Sequence, residues 1–394
     1  MKKIKVALVH DYIKEYGGAE RVLEALHEIY PDADVYTSVY LPKFLGPHRK
    51  RFSGWKIKTT WFQHVPFNYK LLSPFRVISA SVFGQFDFSS YDVVIVSATG
   101  AFFPNAIRKG KEVHICYCHT PPRYLYGYAT ARSWKKHKLV AAFATIANHF
   151  LRLSDFRIAQ QVDWFIANSQ EVSGRIRKFY RRDSTVIYPP VDISLLSFPR
   201  RRESRMEWIP GQARNDKSKA YYLAGGRLAR AKHFDLIVQA CTDLGVPLKV
   251  FGKSFAGYGE ELQSLAGKTV AFVGEVNEEE KLRLMQGAKA FLFAAADEDF
   301  GITPVEAMAC GIPVIAYGGG GVKETVIDGK TGIFFDKLTA EGLSRAIKRF
   351  EMRKQVQHDK MQVECKKQAE KFSKERFMKQ IQAFVSAKVK QKKV

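Results

Sequence analysis

The sequence has no hydrophobic run that approaches the roughly 18 uncharged apolar residues that span a membrane. Cysteine is scarce as well, since five cysteines at scattered positions are too few for a disulfide framework. We expect Cys116 and Cys118 to face opposite ways along an extended segment, which disfavours a metal-binding pair. The short apolar run near the N-terminus predicts a first strand rather than a signal peptide. These features predict a protein of a reducing compartment, cytoplasmic or bound to a membrane from that side.

Acidic residues are few relative to basic ones. The chain has 63 Lys and Arg against 39 Asp and Glu, a formal net charge of +24. This excess predicts an anionic partner, but it does not choose among nucleotides, phosphates, nucleic acid and acidic lipid. The 394 residues are 46% hydrophobic and 26% charged, which indicates two or three globular domains and excludes a disordered or collagen-like chain.

Apolar runs alternate with helical patterns along the chain, which is typical of parallel sheets. In the first half, strands are predicted at 4–10, 34–39, 93–97, 114–117, 164–167 and 185–187, with a helix at 19–30. In the second half, strands are predicted at 221–224, 248–251, 270–273, 290–293 and 313–316, and helices at 235–244, 278–286, 304–309 and 340–350. The pattern predicts an α/β protein with two Rossmann-like domains facing across a cleft, where ligands bind at the carboxyl ends of the strands.

The segment 197–220 separates the two halves. It carries seven basic and three acidic residues without apolar periodicity, so we interpret it as a linker or surface insertion. The expected organisation is therefore a first domain over 1–196, this insertion, a second domain over 221–370 and a basic amphipathic helix over 371–394.

The densest chemical pattern lies at 291–326. A strand runs into Asp297-Glu298-Asp299, and a helix is predicted to begin near Thr303-Pro304, where proline suits the first turn and Thr303 can cap. Free N–H groups and the positive dipole end make such a helix start favourable for phosphate. Glu298 and Glu306 can face the same cleft, although capping and solvation also explain two such glutamates.

Two cations follow the first strand of the second half. Arg227 comes directly after Gly225-Gly226, and Lys232 follows five residues later. At the carboxyl end of a parallel strand both can converge on the cleft and neutralise a departing diphosphate. Basic loop residues that simply face solvent are the competing interpretation.

Together these features resemble the family-4 (group 1) retaining glycosyltransferases of the GT-B fold, over nearly the whole chain. The segments that carry the resemblance are 17–20 (GGAE), 164–169 (WFIANS), 188–192 (YPPVD), 226–228 (GRL) with Lys232, 272–276 (FVGEV), the E-x7-E element 298–306 and 311–315 (GIPVI). The segment 118–124 (CHTPPRY) is most similar to bacterial O-antigen and exopolysaccharide mannosyltransferases. This chain departs from the family at one position, because the family has Gly-Phe-Gly-Leu-Pro after the first glutamate and this chain has Asp-Phe-Gly-Ile-Thr-Pro, with Asp299 in place of the first glycine.

The resemblance implies a role for each site residue. Arg227 and Lys232 would hold the donor diphosphate, Glu306 the ribose and Glu298 the sugar, while His119 would position the sugar or the acceptor. The implied catalytic residues are His119, Arg227, Lys232 and Glu298. The implied donor-binding residues are Gly17, Gly18, Gly226, Gly274, Glu275, Val276, Phe300, Gly301, Ile302, Thr303 and Glu306, with the base along 274–276.

The resemblance also implies an activity, the transfer of a hexose to a glycan or polyprenyl-linked acceptor in lipopolysaccharide or exopolysaccharide synthesis. Mannose from GDP-mannose is the expected donor. The alternatives are a UDP-sugar-dependent enzyme of the same fold and a catalytically silent nucleotide-sugar or nucleic-acid binding protein. In the family the first domain lies on the acceptor side, the second binds the nucleotide-sugar, and the C-terminal helix crosses back onto the first.

No metal or other cofactor is expected, because the nucleotide-sugar is a substrate. Asp297-Glu298-Asp299 does spell D-x-D, the metal–nucleotide signature of a different glycosyltransferase fold, and carboxylates suit Mg²⁺ or Mn²⁺. Arg227 and Lys232 already supply the positive charge that a metal would bring.

The segment 41–86 contains eight Lys or Arg, ten aromatic residues and no acidic residue. Basic and aromatic residues together suit an anionic membrane interface. They also suit single-stranded nucleic acid, or the aromatic residues simply form core and acceptor wall. A lipid-linked acceptor favours the membrane, so we expect a cytoplasmic protein, peripheral at the inner face of the cell membrane, with no nucleic-acid partner.

Overall fold

The structure, a computed structural model, describes residues 4–108, 110–128, 138–193, 221–353 and 355–393. The chain divides into two compact units, Met1–Pro190 with Lys374–Val394 and Val191–Ser373. The predicted insertion 197–220 lies outside the described residues. No helix in the described part of the chain has the length and apolar character to cross a membrane.

In its described part, the first unit contains a seven-stranded parallel sheet with order β3-β2-β1-β4-β5-β6-β7. Its strands are β1 (Val6–His10), β2 (Asp34–Thr37), β3 (Ile57–Thr59), β4 (Val93–Ala98), β5 (Val113–Cys118), β6 (Trp164–Ala167) and β7 (Ser184–Val186). Its helices are α1 (Gly18–Ile29), α2 (Asn68–Phe75), α3 (Ser79–Phe83), α4 (Lys138–Gln161), α5 (Gln170–Tyr180) and α13 (Lys374–Lys393). The central strands β1, β4 and β5 are buried along their whole length, as expected for a parallel sheet covered on both faces.

The two faces of β5 pack into different cores. Cys116 and Cys118 point into one core with Phe165 and Val172, whereas Ile115 and Tyr117 belong to the core on the opposite face. Our expectation that the two cysteines face opposite ways was therefore wrong, because alternate residues of a strand share a face.

The C-terminal helix α13 packs against the core that contains Ile115 and Tyr117. Phe377, Ile381, Val385 and Val389 are buried at four-residue spacing and pack with the strands of the first unit. The Lys392 ammonium lies 2.8 Å from the carboxylate of Asp163, which follows α4. A short 3₁₀ turn at Glu370–Phe372 precedes α13, and only Ser373 lies between them.

The second unit contains, among its described residues, a six-stranded parallel sheet with order β10-β9-β8-β11-β12-β13. Its strands are β8 (Tyr221–Gly225), β9 (Leu248–Phe251), β10 (Val270–Gly274), β11 (Ala288–Phe293), β12 (Val314–Tyr317) and β13 (Gly332–Phe335). Its helices are α6 (Phe234–Leu244), α7 (Tyr258–Leu265), α8 (Glu278–Gln286), α9 (Ile302–Ala309), α10 (Val322–Thr325), α11 (Ala340–Glu351) and α12 (Gln355–Ala369). Strand order reverses beside β1 in the first sheet and beside β8 in the second, and doubly wound proteins bind ligands at the carboxyl ends of the strands at such switch points.

Candidate active site

Backbone lines the carboxyl edge of the second sheet at its switch point. Gly226, just after β8, has a φ of 121°, and Gly252, just after β9, has a φ of 134°. A Cβ atom on Gly252 would lie 1.7 Å from the carbonyl oxygen of Gly226. Both positions therefore require glycine, and the edge is free of side chains that would obstruct a ligand.

The structure brings two predicted catalytic residues into contact beside this edge. The Lys232 ammonium lies 3.1 Å from a Glu298 carboxylate oxygen, and the side chains are 28% and 19% exposed. This contact joins the 3₁₀ turn Arg230–Lys232 after β8 to the loop after β11. Arg227 is exposed, and its guanidinium lies 5.8 Å from the ring centre of Phe255. The arrangement places two cations and a carboxylate on neighbouring segments of the switch point.

The predicted phosphate-binding helix start is present, but its cap differs from our prediction. Helix α9 begins at Ile302, and Gly301 occupies the N-cap position with a φ of 88°. Thr303 is the second residue of the helix and therefore does not cap it. Gly301 adopts its left-handed conformation without the strain that a side chain would bring. The Phe300 side chain is buried against Phe372, with 5.4 Å between ring centres. Phe300 and Gly301 therefore present mainly backbone at the helix start, whereas Ile302 and Thr303 are half-buried.

A glycine run holds the loop that carries Glu298. The Gly321 N–H donates to the Glu298 carbonyl oxygen at 2.8 Å. Cβ atoms on Gly320 and Gly321 would lie 2.6 Å and 2.3 Å from the carbonyl oxygens of Glu298 and Asp299. The glycine turn at 318–321 therefore packs tightly on this loop and fixes its path.

Glu306 is buried in an ion pair that the sequence did not predict. Its carboxylate lies 2.8 Å from the ammonium of Lys281, and the two side chains are 5% and 8% exposed. Lys281 also contacts Glu278, one turn earlier on α8, at 2.6 Å. In the sequence Lys281 follows three glutamates, a pattern that indicates an exposed helix start. Only the tertiary structure, which brings a side chain of α8 to one of α9, reveals its contact with Glu306.

A pocket of about 670 Å³, its open mouth included, lies at the ends of β9 and β10. Gly274 and Glu275, from the predicted base-binding stretch, line it together with Gly252 and Lys253. Val276 is half-buried and is not among the lining residues. The pocket's position next to the glycine edge suits a nucleobase.

In the first unit, three buried side chains form a hydrogen-bonded chain across the carboxyl ends of β1, β4 and β5. The Ser97 hydroxyl lies 2.9 Å from Nε2 of His119 and 3.1 Å from Nδ1 of His10. The other ring nitrogen of His10 lies 3.6 Å from the Glu20 carboxylate. Burial, and secondarily the neighbouring His10, lower the pKa of His119 to about 3, so its imidazole is neutral at physiological pH.

The predicted glycine loop adjoins this chain. Helix α1 begins at Gly18, and the N–H of Gly17 donates to the other Glu20 carboxylate oxygen at 2.8 Å. Gly18 is exposed at the helix start. His10 and Glu20 thus connect the glycine loop with His119, although the family motif assigned a role only to His119 and the glycines.

A second buried contact follows His119 directly. The guanidinium of Arg175, on α5, donates to the Thr120 hydroxyl at 3.1 Å and lies 4.3 Å from the ring centre of Tyr128. No sequence pattern marked Arg175, since it stands in a helix among ordinary basic residues.

Asp297, Glu298 and Asp299 are half-buried, and the described residues contain no group of three or more His, Cys, Asp or Glu side chains arranged to hold a metal ion.

Comparisons with known proteins match this geometry to a family. The model described as "Glycosyltransferase Family 4" matches residues 16–195, and "Glycosyl transferases group 1" matches residues 206–372. The alpha-1,3/1,6-mannosyltransferases ALG2 of Rhizomucor pusillus and Mus musculus are each 24% identical, over 93% and 94% of this chain and 89% and 93% of theirs.

Two solved structures share the fold. Anabaena Alr3699/HepE in complex with UDP and glucose has a TM-score of 0.70 at 18% identity, covering 98% of this chain and all of the other. Sucrose-phosphate synthase from Thermosynechococcus elongatus has a TM-score of 0.71 at 17% identity, covering 97% and 98%. These structures show the GT-B fold, and the two family models, at 16–195 and 206–372, show that the chain belongs to the family-4, group 1 glycosyltransferases and is an enzyme.

Proposed function

We propose that the enzyme transfers mannose from GDP-mannose to a lipid-linked glycan with retention of the anomeric configuration, in the synthesis of a cell-surface polysaccharide such as lipopolysaccharide or exopolysaccharide. The observation that carries the proposal is the contact of Lys232 with Glu298 beside Arg227, at the switch point of the second sheet. The relatives of similar length named mannosyltransferases support the choice of sugar. The fold neighbour solved with UDP and glucose makes a UDP-sugar the second candidate donor.

In this proposal the protein acts by position and charge. Arg227 and Lys232 stabilise the diphosphate as it departs, while Glu298 and the backbone of 300–303 hold the sugar and its phosphate. The reaction passes through an oxocarbenium-like state. Glu306 accepts hydrogen bonds from the ribose, and the ammonium of Lys281 fixes the orientation of that carboxylate. Gly17 and Gly18 leave room for the diphosphate, and His119 contacts the sugar or acceptor.

Nucleotide binding tests the donor class. We expect GDP and GDP-mannose to raise the thermal midpoint of the purified protein, and UDP and UDP-glucose to leave it nearly unchanged. Arg227→Ala should abolish the shift, because the guanidinium would no longer hold the diphosphate. A shift confined to uridine nucleotides would move the assignment to the second candidate. No shift with either family would overturn the nucleotide-sugar site.

The proposed transfer needs no metal, because Arg227 and Lys232 provide the charge that stabilises the leaving diphosphate. We expect excess EDTA to leave the transfer rate unchanged and added Mn²⁺ not to raise it. Loss of transfer in EDTA that Mn²⁺ restores would show instead that the D-x-D carboxylates at 297–299 bind a metal.

The segment 41–86 is both core and surface. Phe52, Phe62 and Phe75 are buried, whereas Phe67 and Trp61 are 67% and 50% exposed among basic residues. We infer that the exposed part contacts an anionic membrane, where each nearby cation contributes about 1 kcal/mol. Contact with the membrane would bring the enzyme to the surface that holds a lipid-linked acceptor.

Vesicle sedimentation tests the membrane contact. We expect the protein to sediment with vesicles rich in phosphatidylglycerol and not with phosphatidylcholine vesicles. Phe67→Ser with Trp61→Ser should reduce binding severalfold, because the aromatic rings no longer enter the interface. Val363→Ser is the matched control, since this exposed apolar residue lies on α12 in the other unit. Equal losses for both variants would contradict the assignment of this surface.

A further inference from the structure

The carboxyl edge of the first sheet carries a buried polar chain that runs from Glu20 through His10 and Ser97 to His119. Its links measure 3.6, 3.1 and 2.9 Å, and all four residues are buried. The chain connects α1, β1, β4 and the end of β5, so it crosses three neighbouring strands.

The direction of the hydrogen bonds along this chain follows from counting protons. Ser97 has one hydroxyl proton and can donate it to only one of the two imidazoles, so the other imidazole must donate to Ser97. A neutral imidazole carries a proton on one nitrogen and an acceptor on the other. Fixing the proton of His10 therefore fixes the proton of His119 as well.

The Glu20 carboxylate decides between the two directions. A carboxylate only accepts hydrogen bonds, and it faces Nε2 of His10. Nε2 of His10 is buried and makes no hydrogen bond to any described residue. If this nitrogen carried no proton, its lone pair would face the negative charge of Glu20. With the proton on Nε2 of His10, Ser97 donates to Nδ1 of His10, and Nε2 of His119 donates to Ser97.

We infer that Glu20 and His10 are positioning residues, which act through Ser97 to hold His119 in the Nε2–H tautomer with Nδ1 as a hydrogen-bond acceptor. Among the described residues Nδ1 of His119 makes no hydrogen bond. It is thus available to accept a bond from a sugar or acceptor hydroxyl, and this part of the inference rests on the proposed function. Burial keeps the His119 ring neutral, so its tautomer sets whether it offers a donor or an acceptor.

An isosteric substitution tests the inference. One Glu20 oxygen accepts from the Gly17 N–H, and the other faces His10. In Glu20→Gln the amide oxygen must stay on Gly17, so the NH₂ group faces His10 and donates to it. Every bond in the chain then reverses, and His119 changes to the Nδ1–H tautomer without any change in side-chain volume.

The tautomer is read from the ¹⁵N shifts of the ring nitrogens in protein labelled with [¹⁵N]histidine. The signals of His119, one of ten histidines, are assigned from a His119→Gln variant. Spectra are recorded at about pH 8.5, well above the ordinary histidine pKa of about 6.5. We expect Nε2–H in the wild type, Nδ1–H in Glu20→Gln, and Nε2–H in the control Glu28→Gln, whose side chain on the same helix pairs with Lys374.

A second variant keeps the test decisive if Glu20→Gln does not fold. Ser97→Ala removes the hydroxyl that links His10 to His119, so we expect averaged ¹⁵N shifts from two tautomers of His119. Ser97→Thr keeps the hydroxyl and should restore the single Nε2–H tautomer. Wild-type shifts for His119 in Glu20→Gln or in Ser97→Ala, or an Nδ1–H wild type, would overturn the inference.

Kinetics separate this inference from the proposed function. In Glu20→Gln we expect kcat/KM for GDP-mannose to fall about tenfold, the size of one reversed hydrogen bond, while the Kd of free GDP changes less than twofold. If the tautomer reverses but the wild type transfers no sugar, the chain of hydrogen bonds stands and the proposed function fails.

Discussion

Lys281→Met is expected to lower the free energy of unfolding by about 3–5 kcal/mol, since it removes one partner of a buried ion pair. The Lys281 ammonium lies 2.8 Å from Glu306, and both side chains are almost fully buried. The substitution keeps the apolar volume of the stem but leaves the Glu306 carboxylate without this cation. Urea unfolding followed by circular dichroism measures the change.

Two further variants show whether the loss comes from the charge. Lys289→Met removes an ammonium 3.2 Å from Glu351, but those side chains are 34% and 45% exposed, so we expect a loss of about 1 kcal/mol or less. Adding Glu306→Leu to Lys281→Met should recover most of the stability, because no buried carboxylate remains. Equal losses for the two lysine variants would contradict the buried pair.

Arg227→Ala and Lys232→Ala are each expected to slow sugar transfer about a hundredfold, equivalent to about 3 kcal/mol of transition-state stabilisation. The reason is that each cation stabilises the diphosphate most strongly when its charge develops on departure. Release of GDP from GDP-mannose, and of UDP from UDP-glucose, measures the effect for both candidate donors. Lys232→Ala should also loosen Glu298, whose carboxylate it contacts at 3.1 Å.

Arg345→Ala serves as the control for these two variants. Arg345 forms an exposed ion pair with Glu341, four residues earlier on α11. Its removal should leave transfer unchanged and stability within about 0.5 kcal/mol. Turnover at the wild-type rate by both Arg227→Ala and Lys232→Ala would refute the proposed role of the switch-point cations.

The fold was largely predictable because most strands are continuous apolar runs. β6 and β9 and the helix α8 have the predicted bounds residue for residue. β3 and β13 were missed, since β3 alternates Ile57, Lys58 and Thr59 at a sheet edge and β13 begins with a glycine. Such edge strands are defined by their pairing with β2 and β12, which local hydrophobicity does not encode.

The position of the candidate site residues in the fold was predictable where strand ends mark it. Arg227, Lys232 and Glu298 follow apolar strands, so their place at a carboxyl edge could be predicted. The contacts of Lys281 with Glu306 and of Ser97 with two histidines could not be predicted from the sequence. Ser97 lies 87 residues from His10 and 22 from His119, and only the parallel register of β1, β4 and β5 joins them.

The central strands of both sheets, and the place of the glycines and of Arg227 and Lys232 after apolar strands, follow from the linear sequence, because hydrophobic periodicity and backbone conformation are local properties. Which charges are buried, and which proton each histidine carries, depends on packing between segments far apart in the chain. Burial removes water, and a polar group without water must then be satisfied by the neighbour that the fold supplies. The contacts of Glu20, His10, Ser97 and Lys281 are therefore visible only in the folded chain.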